Sequence, residues 1–245
     1  MLVVKNTMSG CAYERQAMVK RRTVILCAGY HSHIVAEILR LSQGCEPIGI
    51  LDDNKDLHDR CRNGFRILGG LSLLGELKDS GRVDSAALGL GNLAMLDRRM
   101  EIYREARRLG IEMVQLVHPT AFVSPTADCR PGLLVGALAV ISVGLRVGEN
   151  VVVHEASSVG HDSEIGDHVF ISPGVHTAGQ VKIEPGVYIG PGAIISSGCV
   201  IGEGSVVGAG SVVVKDIPGG KLAFGVPARV QKSVEEWKQD FSKRK

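Results

Sequence analysis

The sequence predicts two architectures in series, a small parallel α/β unit followed by a long parallel β-helix. Three observations carry this. Val or Ile recurs every six residues from Val117 to Val213. Ahead of that stretch, short apolar runs alternate with apolar residues at helical spacing. The chain has 245 residues, 44% of them apolar, so it can bury a sizeable core.

In chain order, residues 1–22 carry Lys5, Arg15, Lys20, Arg21 and Arg22 without periodicity. They are expected to form a flexible extension, with Met8 or Met18 as alternative starts. The α/β unit spans 23–116. Thr23 to Leu26 reads as a buried parallel strand. The loop Cys27-Ala28-Gly29-Tyr30-His31-Ser32 follows, and Ile34, Val35, Ile38, Leu39 and Leu41 then mark a helix. Pro47 to Leu51 is a second strand ending at Asp52-Asp53. Leu71 to Leu77 reads as a short helix, and Ser85 to Leu90 as a third strand ending in Gly91-Asn92. Leu96 to Leu109 is an amphipathic helix, and Met113 to Val117 a fourth strand. Ligands of such a unit sit at the carboxyl ends of its strands.

Residues 117–230 form the β-helix. Of the seventeen positions reached by sixes from Val117, fifteen are Val or Ile; the others are Cys129 and Thr177. Both favoured residues are β-branched and suit a packed pleated surface. A period of six fits neither an α-helix nor simple alternation, but it fits a short strand and a turn wound repeatedly. Three sides make one coil, so residues 18 apart stack. The position after each β-branched residue is mostly Gly, Ser or Ala, expected at corners where a larger side chain would be strained. Residues 231–245 close the chain with a short amphipathic helix around Val234 to Phe241.

Composition narrows the function. A formal charge of +2 and 4% aromatic residues give no footprint for nucleic acid or an anionic membrane. The six cysteines show no CxxC pair, which suits a reducing compartment. No apolar run is long enough to span a membrane or to form a signal peptide, so the expected location is the cytoplasm. His154, His168 and His176 fall in neighbouring coils but in different phases of the repeat, so no metal is expected. His161, at a coil corner beside Asp162, has the composition of a general base with an orienting acid, or of a plain surface histidine. His31 could contact an acceptor or sit at its own helix start, and Asp52-Asp53 could grip ribose or form a turn.

The chain resembles the sialic acid O-acetyltransferase/NeuD-like sugar acetyltransferases. The shared features are Ala28-Gly29-Tyr30-His31, Leu51-Asp52-Asp53, Gly91-Asn92, His118-Pro119, Val159-Gly160-His161-Asp162, Thr177-Ala178-Gly179 and Gly225-Val226-Pro227-Ala228-Arg229. The resemblance implies a Rossmann-like domain followed by a left-handed β-helix, assembled as a homotrimer. It implies acetyl-CoA as co-substrate and a nucleotide-linked amino sugar as acceptor, with N-acetylation by His161 as base and Asp162 as its support. Acetyl-CoA is expected along Gly179, Gly190, Pro191, Ala209, Lys215 and Arg229, with open space above His161 at Gly179. The sugar nucleotide is expected at Gly29, Tyr30, His31, Asp52, Asp53, Gly91, Asn92 and His154. Two departures stand out. Tyr30 replaces a usual Gly, which would put a ring in the nucleotide pocket. His154 stands where relatives often carry Asn, and Phe170 where they carry a second His. O-acetylation of sialic acid or serine, and a non-catalytic trimeric scaffold, are the competing readings.

Overall fold

The computed structural model of the protein describes residues 20–242. Residues 1–19 of the expected extension, Cys11 among them, lie outside the described residues. The α/β unit contains β1 (Arg21–Leu26), α1 (His31–Leu41), β2 (Cys45–Leu51), β3 (Cys61–Arg62), β4 (Phe65–Gly69), α2 (Leu74–Asp79), β5 (Ser85–Leu88), α3 (Leu96–Arg108) and β6 (Glu112–Met113). The strands form one sheet in the order β3-β4-β2-β1-β5-β6. β1 lies between parallel neighbours β2 and β5, and its Val24, Ile25 and Leu26 are fully buried. That is the environment a continuous apolar run requires.

Three elements differ from the sequence reading. β1 takes in Arg21 and Arg22, which were expected in the flexible extension and instead pair with Cys45 and Glu46 of β2. The hairpin β3-β4 occupies a stretch without apolar periodicity. Its signal is Asn63-Gly64, whose φ angles of 54° and 74° make the two-residue turn that Asn-Gly favours. The expected strand over Met113 to Val117 is divided. Glu112–Met113 pairs with β5, whereas Leu116–Val117 already pairs with Leu134–Val135 of the first coil.

The β-helix is built of two-residue strands, β7 (Leu116–Val117) through β23 (Val212–Val213), at the six-residue spacing the sequence predicts. Strands stack in parallel with an 18-residue register, as in Val135 on Val153 and Ile141 on Val159. After Val117, which is exposed, the second residue of each strand points inward; Val123 and Cys129 pack against a continuous core that runs from Leu133 to Val213. The first residue points outward, and the three faces differ in chemistry. The first face, Leu116, Leu134, Val152, Phe170 and Val206, is buried, most of it against Val35, Ile38 and Leu39 of α1 and their neighbours. The second face presents Phe122, Val140, Ser158, His176, Ile194 and Val212, with Phe122 54% and Ile194 48% exposed. The third face is charged, with Arg146 paired to Glu164 one coil above.

Small residues serve two distinct purposes in the coils. At positions such as Gly136, Gly160 and Gly190, an added Cβ would lie 2.4–2.7 Å from the backbone of the next coil, so close stacking excludes it. Backbone strain falls two residues later, at 132, 138, 144, 150, 156, 162 and onward, where every residue to 210 has positive φ. Gly fills most of these sites in the later coils, and Asp162 occupies one at φ 55°.

The chain ends with β24 (Lys221–Gly225), which extends the first face, then antiparallel β25 (Ala228–Ser233) and α4 (Val234–Ser242). Lys238 of α4 pairs with Asp97 of α3 at 2.7 Å. Among the described residues, no helix is long and apolar enough to cross a membrane.

Candidate active site

His161 stands at the corner between the second and third faces, just past Ser158–Val159. Its Nδ1 lies 2.9 Å from Asp162 Oδ2, and both side chains are more than half exposed. The backbone on both sides is fixed by the coils: Asp162 N–H donates to the Val143 carbonyl, and the His161 carbonyl accepts from Gln180 N–H. Glycines flank the pair above and below. A Cβ on Gly144 would lie 2.4 Å from Asp162 Oδ1, and one on Gly179 would lie 2.5 Å from His161 Nε2. The space expected above His161 is therefore filled by its own imidazole. Gly179 makes room for the ring.

His154 stands at the other end of the second face, at its corner with the first. It is buried, with Nδ1 2.8 Å from Glu155 Oε2. Its ring meets those of His31 and Phe170 at centroid distances of 5.1 Å each, and Phe170 stacks on Tyr188 at 5.4 Å. Burial pulls His154 below the usual histidine range, against the opposing effect of Glu155. His31, at the first turn of α1, is 5% exposed and is held neutral chiefly by burial, with Arg99 and His154 adding to the effect. Its Nε2 is buried with no hydrogen-bond partner. The ring lies against Gly91, where a Cβ would come within 2.6–2.9 Å of three of its atoms. Gly91 belongs to a turn held by Arg99, which is buried and donates to the Leu90 carbonyl at 2.6 Å.

Around this turn the predicted acceptor residues divide. Gly29, His31, Gly91 and Asn92 gather where β1 and β5 end. Asp52 joins them through its Oδ2, which accepts the Ala28 N–H at 2.7 Å. Asp53 turns away, accepting the Leu71 N–H at 2.9 Å and pairing with Arg98 at 3.2 Å. Tyr30 does not enter a pocket: it is 88% exposed, with the Arg62 guanidinium 5.8 Å from its ring centroid. Its place at the start of α1, ahead of the inward-facing His31, directs it to solvent.

The predicted acetyl-CoA residues also fall on two edges. Gly179 and Lys215 share the corner of His161. Gly190, Pro191 and Ala209 share the corner of His154, and the Gly225 to Arg229 hairpin continues that edge, with Phe224 packed on Gly208. The width of the second face separates the two groups within one chain. His168 and His176 have separate partners: Asn150 Nδ2 at 2.9 Å and Ser158 Oγ at 2.8 Å. Among the described residues, no group of three or more His, Cys, Asp or Glu is placed to hold a metal ion.

Comparison with known proteins bears on this arrangement. Residues 22–104 match the family model for the PglD N-terminal domain, and residues 180–215 the model for bacterial transferase hexapeptide repeats. The acetyltransferase domain of PglB from Neisseria gonorrhoeae FA1090, solved in complex with acetyl coenzyme A, is 34% identical. It aligns over 87% of this chain and 100% of that domain with a TM-score of 0.80. The chain belongs to the hexapeptide-repeat sugar acetyltransferases. PerB from Caulobacter crescentus, solved with CoA and GDP-perosamine, is 25% identical over 86% of this chain and 97% of its own, with a TM-score of 0.53. The GDP-perosamine N-acetyltransferase of Escherichia coli O157:H7 is 35% identical over 81 residues. That match spans 33% of this chain and 37% of the relative.

Glu155 was not singled out by the sequence reading. Its signal was present: His154-Glu155 and His161-Asp162 are both a histidine followed directly by an acid. Arg99 and Tyr188 carried no signal, because only the docking of the α/β unit on the first face covers them, and Phe170 stood out only through the resemblance.

Proposed function

We propose that this protein transfers the acetyl group of acetyl-CoA to the amine of a nucleotide-linked amino sugar. The observation that carries the reading is the exposed His161–Asp162 pair, fixed between Gly144 and Gly179 on the edge of the β-helix. Neither side chain is needed for coil packing. Asp162 holds the hydrogen on Nδ1 of the ring, leaving Nε2 free to accept a proton. The amine nitrogen attacks the thioester carbonyl, Nε2 of His161 takes its proton, and the proton passes to the sulfur as CoA leaves. The sugar nucleotide lies at the ends of β1 and β5, its diphosphate over the start of α1 and its sugar towards His31.

The working unit in this reading is a homotrimer. The second face is largely apolar and carries exposed Phe122, Val140 and Ile194, with Leu138 and Val143 exposed at its rims. Three copies turning this face to a common axis bury it and bring the His161 edge of one against the His154 edge of the next. Such packing unites the two groups of predicted acetyl-CoA residues, and the base with the acceptor pocket. We place the enzyme in the cytoplasm, a location supported by free Cys27, Cys45, Cys61, Cys129 and Cys199.

Thiol release from acetyl-CoA, measured against UDP-, GDP- and dTDP-linked 4-amino sugars and free sialic acid, tests the proposal. Turnover of an amino-sugar nucleotide with the acetyl group on nitrogen is the expected result. Equal turnover of sialic acid, insensitive to changes at His31 and Gly91, would replace it with O-acetylation.

A further inference from the structure

The His154–Glu155 pair reproduces the geometry of His161–Asp162 on the opposite edge of the second face. In each, Nδ1 faces the carboxylate of the following residue, at 2.8 Å and 2.9 Å. An ionised carboxylate only accepts hydrogen bonds, so Nδ1 carries the hydrogen and Nε2 of the neutral ring presents a lone pair. Burial keeps His154 neutral at physiological pH. A lone pair there cannot support the oxygen of a thioester or of a phosphate; it suits an N–H donor.

The groups packed around the pair favour a cation. His31 of α1 adjoins His154 and is neutral, and Phe170 covers the ring from the coil above. Arg99 of α3 is the one cation acting on His154; it is buried, donates to the Leu90 carbonyl and keeps an unpartnered Nε. Glu155 also lines a cavity of about 170 Å³ with Ala137, His118, and His33 and Glu37 of α1. Two carboxylates and no Lys or Arg line that cavity.

We propose that His154–Glu155 is a second proton-accepting pair, which receives the acceptor as an ammonium ion and removes its first proton. The inference rests on the trimeric amino-sugar acetyltransferase reading above. Its logic is stoichiometric. Amines near electronegative groups, like the α-amino group, have pKa values of about 8 and are mostly charged at neutral pH. An ammonium must lose two protons to become an amide nitrogen, and an imidazole that has taken one cannot take another. His154 takes the first and releases it to solvent past the partly exposed Glu155. His161 of the adjoining copy takes the second as the C–N bond forms and returns it to the sulfur as the C–S bond breaks. One proton is released per acetyl group transferred.

The test is the pH dependence of kcat/KM for the amino sugar in wild type, Glu155→Gln and Glu155→Asp, with thermal melts to verify folding. The Gln variant should lose about thirtyfold at pH 6.5, the scarcity of free amine there, and only a few-fold at pH 9. The Asp variant should recover most of the loss at pH 6.5, and KM for acetyl-CoA should hold throughout. A loss that is the same at every pH, or no loss, would make the pair structural and overturn the inference alone. A wild type inactive on every amino sugar would overturn the proposed function with it.

Discussion

Adding a methyl group to Gly179 tests whether the imidazole above it is the working base. The new Cβ would lie 2.5, 2.6 and 2.8 Å from Nε2, Cε1 and Cδ2 of His161. Ordinary carbon contacts begin near 3.5 Å, so the ring must move by about 1 Å. Gly179 has no positive φ, so Ala adds no backbone strain, and the exposed ring can swing outwards without unfolding the coil. The cost therefore falls on placement, where a shift of about 1 Å in a catalytic group costs roughly a hundredfold. Gly179→Ala should lower kcat by that order, leave KM for acetyl-CoA within about twofold, and melt close to wild type. Initial rates by thiol release at saturating acceptor, with acetyl-CoA varied, separate the two parameters. An unchanged kcat with a raised KM would mean that the thioester arm, not the imidazole, occupies this space, and would refute the assignment.

Three further outcomes follow from the same geometry. His161→Ala should reduce kcat by about a hundredfold to ten-thousandfold with acetyl-CoA binding retained, and Asp162→Asn by less; isothermal titration and steady-state rates measure both. Gly91→Ala should displace the His31 ring and raise KM for the sugar nucleotide, with KM for acetyl-CoA unchanged, as read in two-substrate kinetics. Stability should fall in mild acid, because His31 and His154 are neutral in the fold and titrate below their unfolded value of about 6.5. The unfolded chain binds more protons there, so thermal melts should be flat above that pH and decline as pH drops towards the lowered native values. His154→Asn should lessen the decline, and equal melting temperatures at pH 7 and 5 would contradict the burial of both rings.

The β-helix was legible because its repeat is a packing constraint applied at every turn: Ile141, Val159 and Thr177 each fill the same inward slot. The α/β unit was legible where burial is two-sided, as in Val24 to Leu26, and illegible where an element lies at the sheet edge. The β3-β4 hairpin has one-sided burial, and its signal was the turn Asn63-Gly64. Gly179 was identified as a special position, but whether a glycine leaves room for a ligand or for a neighbouring side chain depends on rotamers absent from the sequence. Tyr30 illustrates the same limit, since its neighbour His31 turns inwards while it faces solvent. The allocation of predicted residues to two edges follows from arithmetic on 18-residue coils. The occupant of the gap between the edges, in the proposed trimer a second copy of the chain, lies outside that arithmetic.

Mixing two inactive variants tests that shared site most directly. His161→Ala removes the base from one edge, and Gly91→Val displaces the acceptor pocket at the other. Dissociated and reassembled at equal ratio, the two should form mixed trimers in which one junction in three carries both intact edges. Activity should then recover to about a quarter of the wild-type rate per chain, from two nearly inactive parents. Activity no higher than the parents', in mixtures proven to exchange subunits, would mean that base and acceptor pocket work within a single chain.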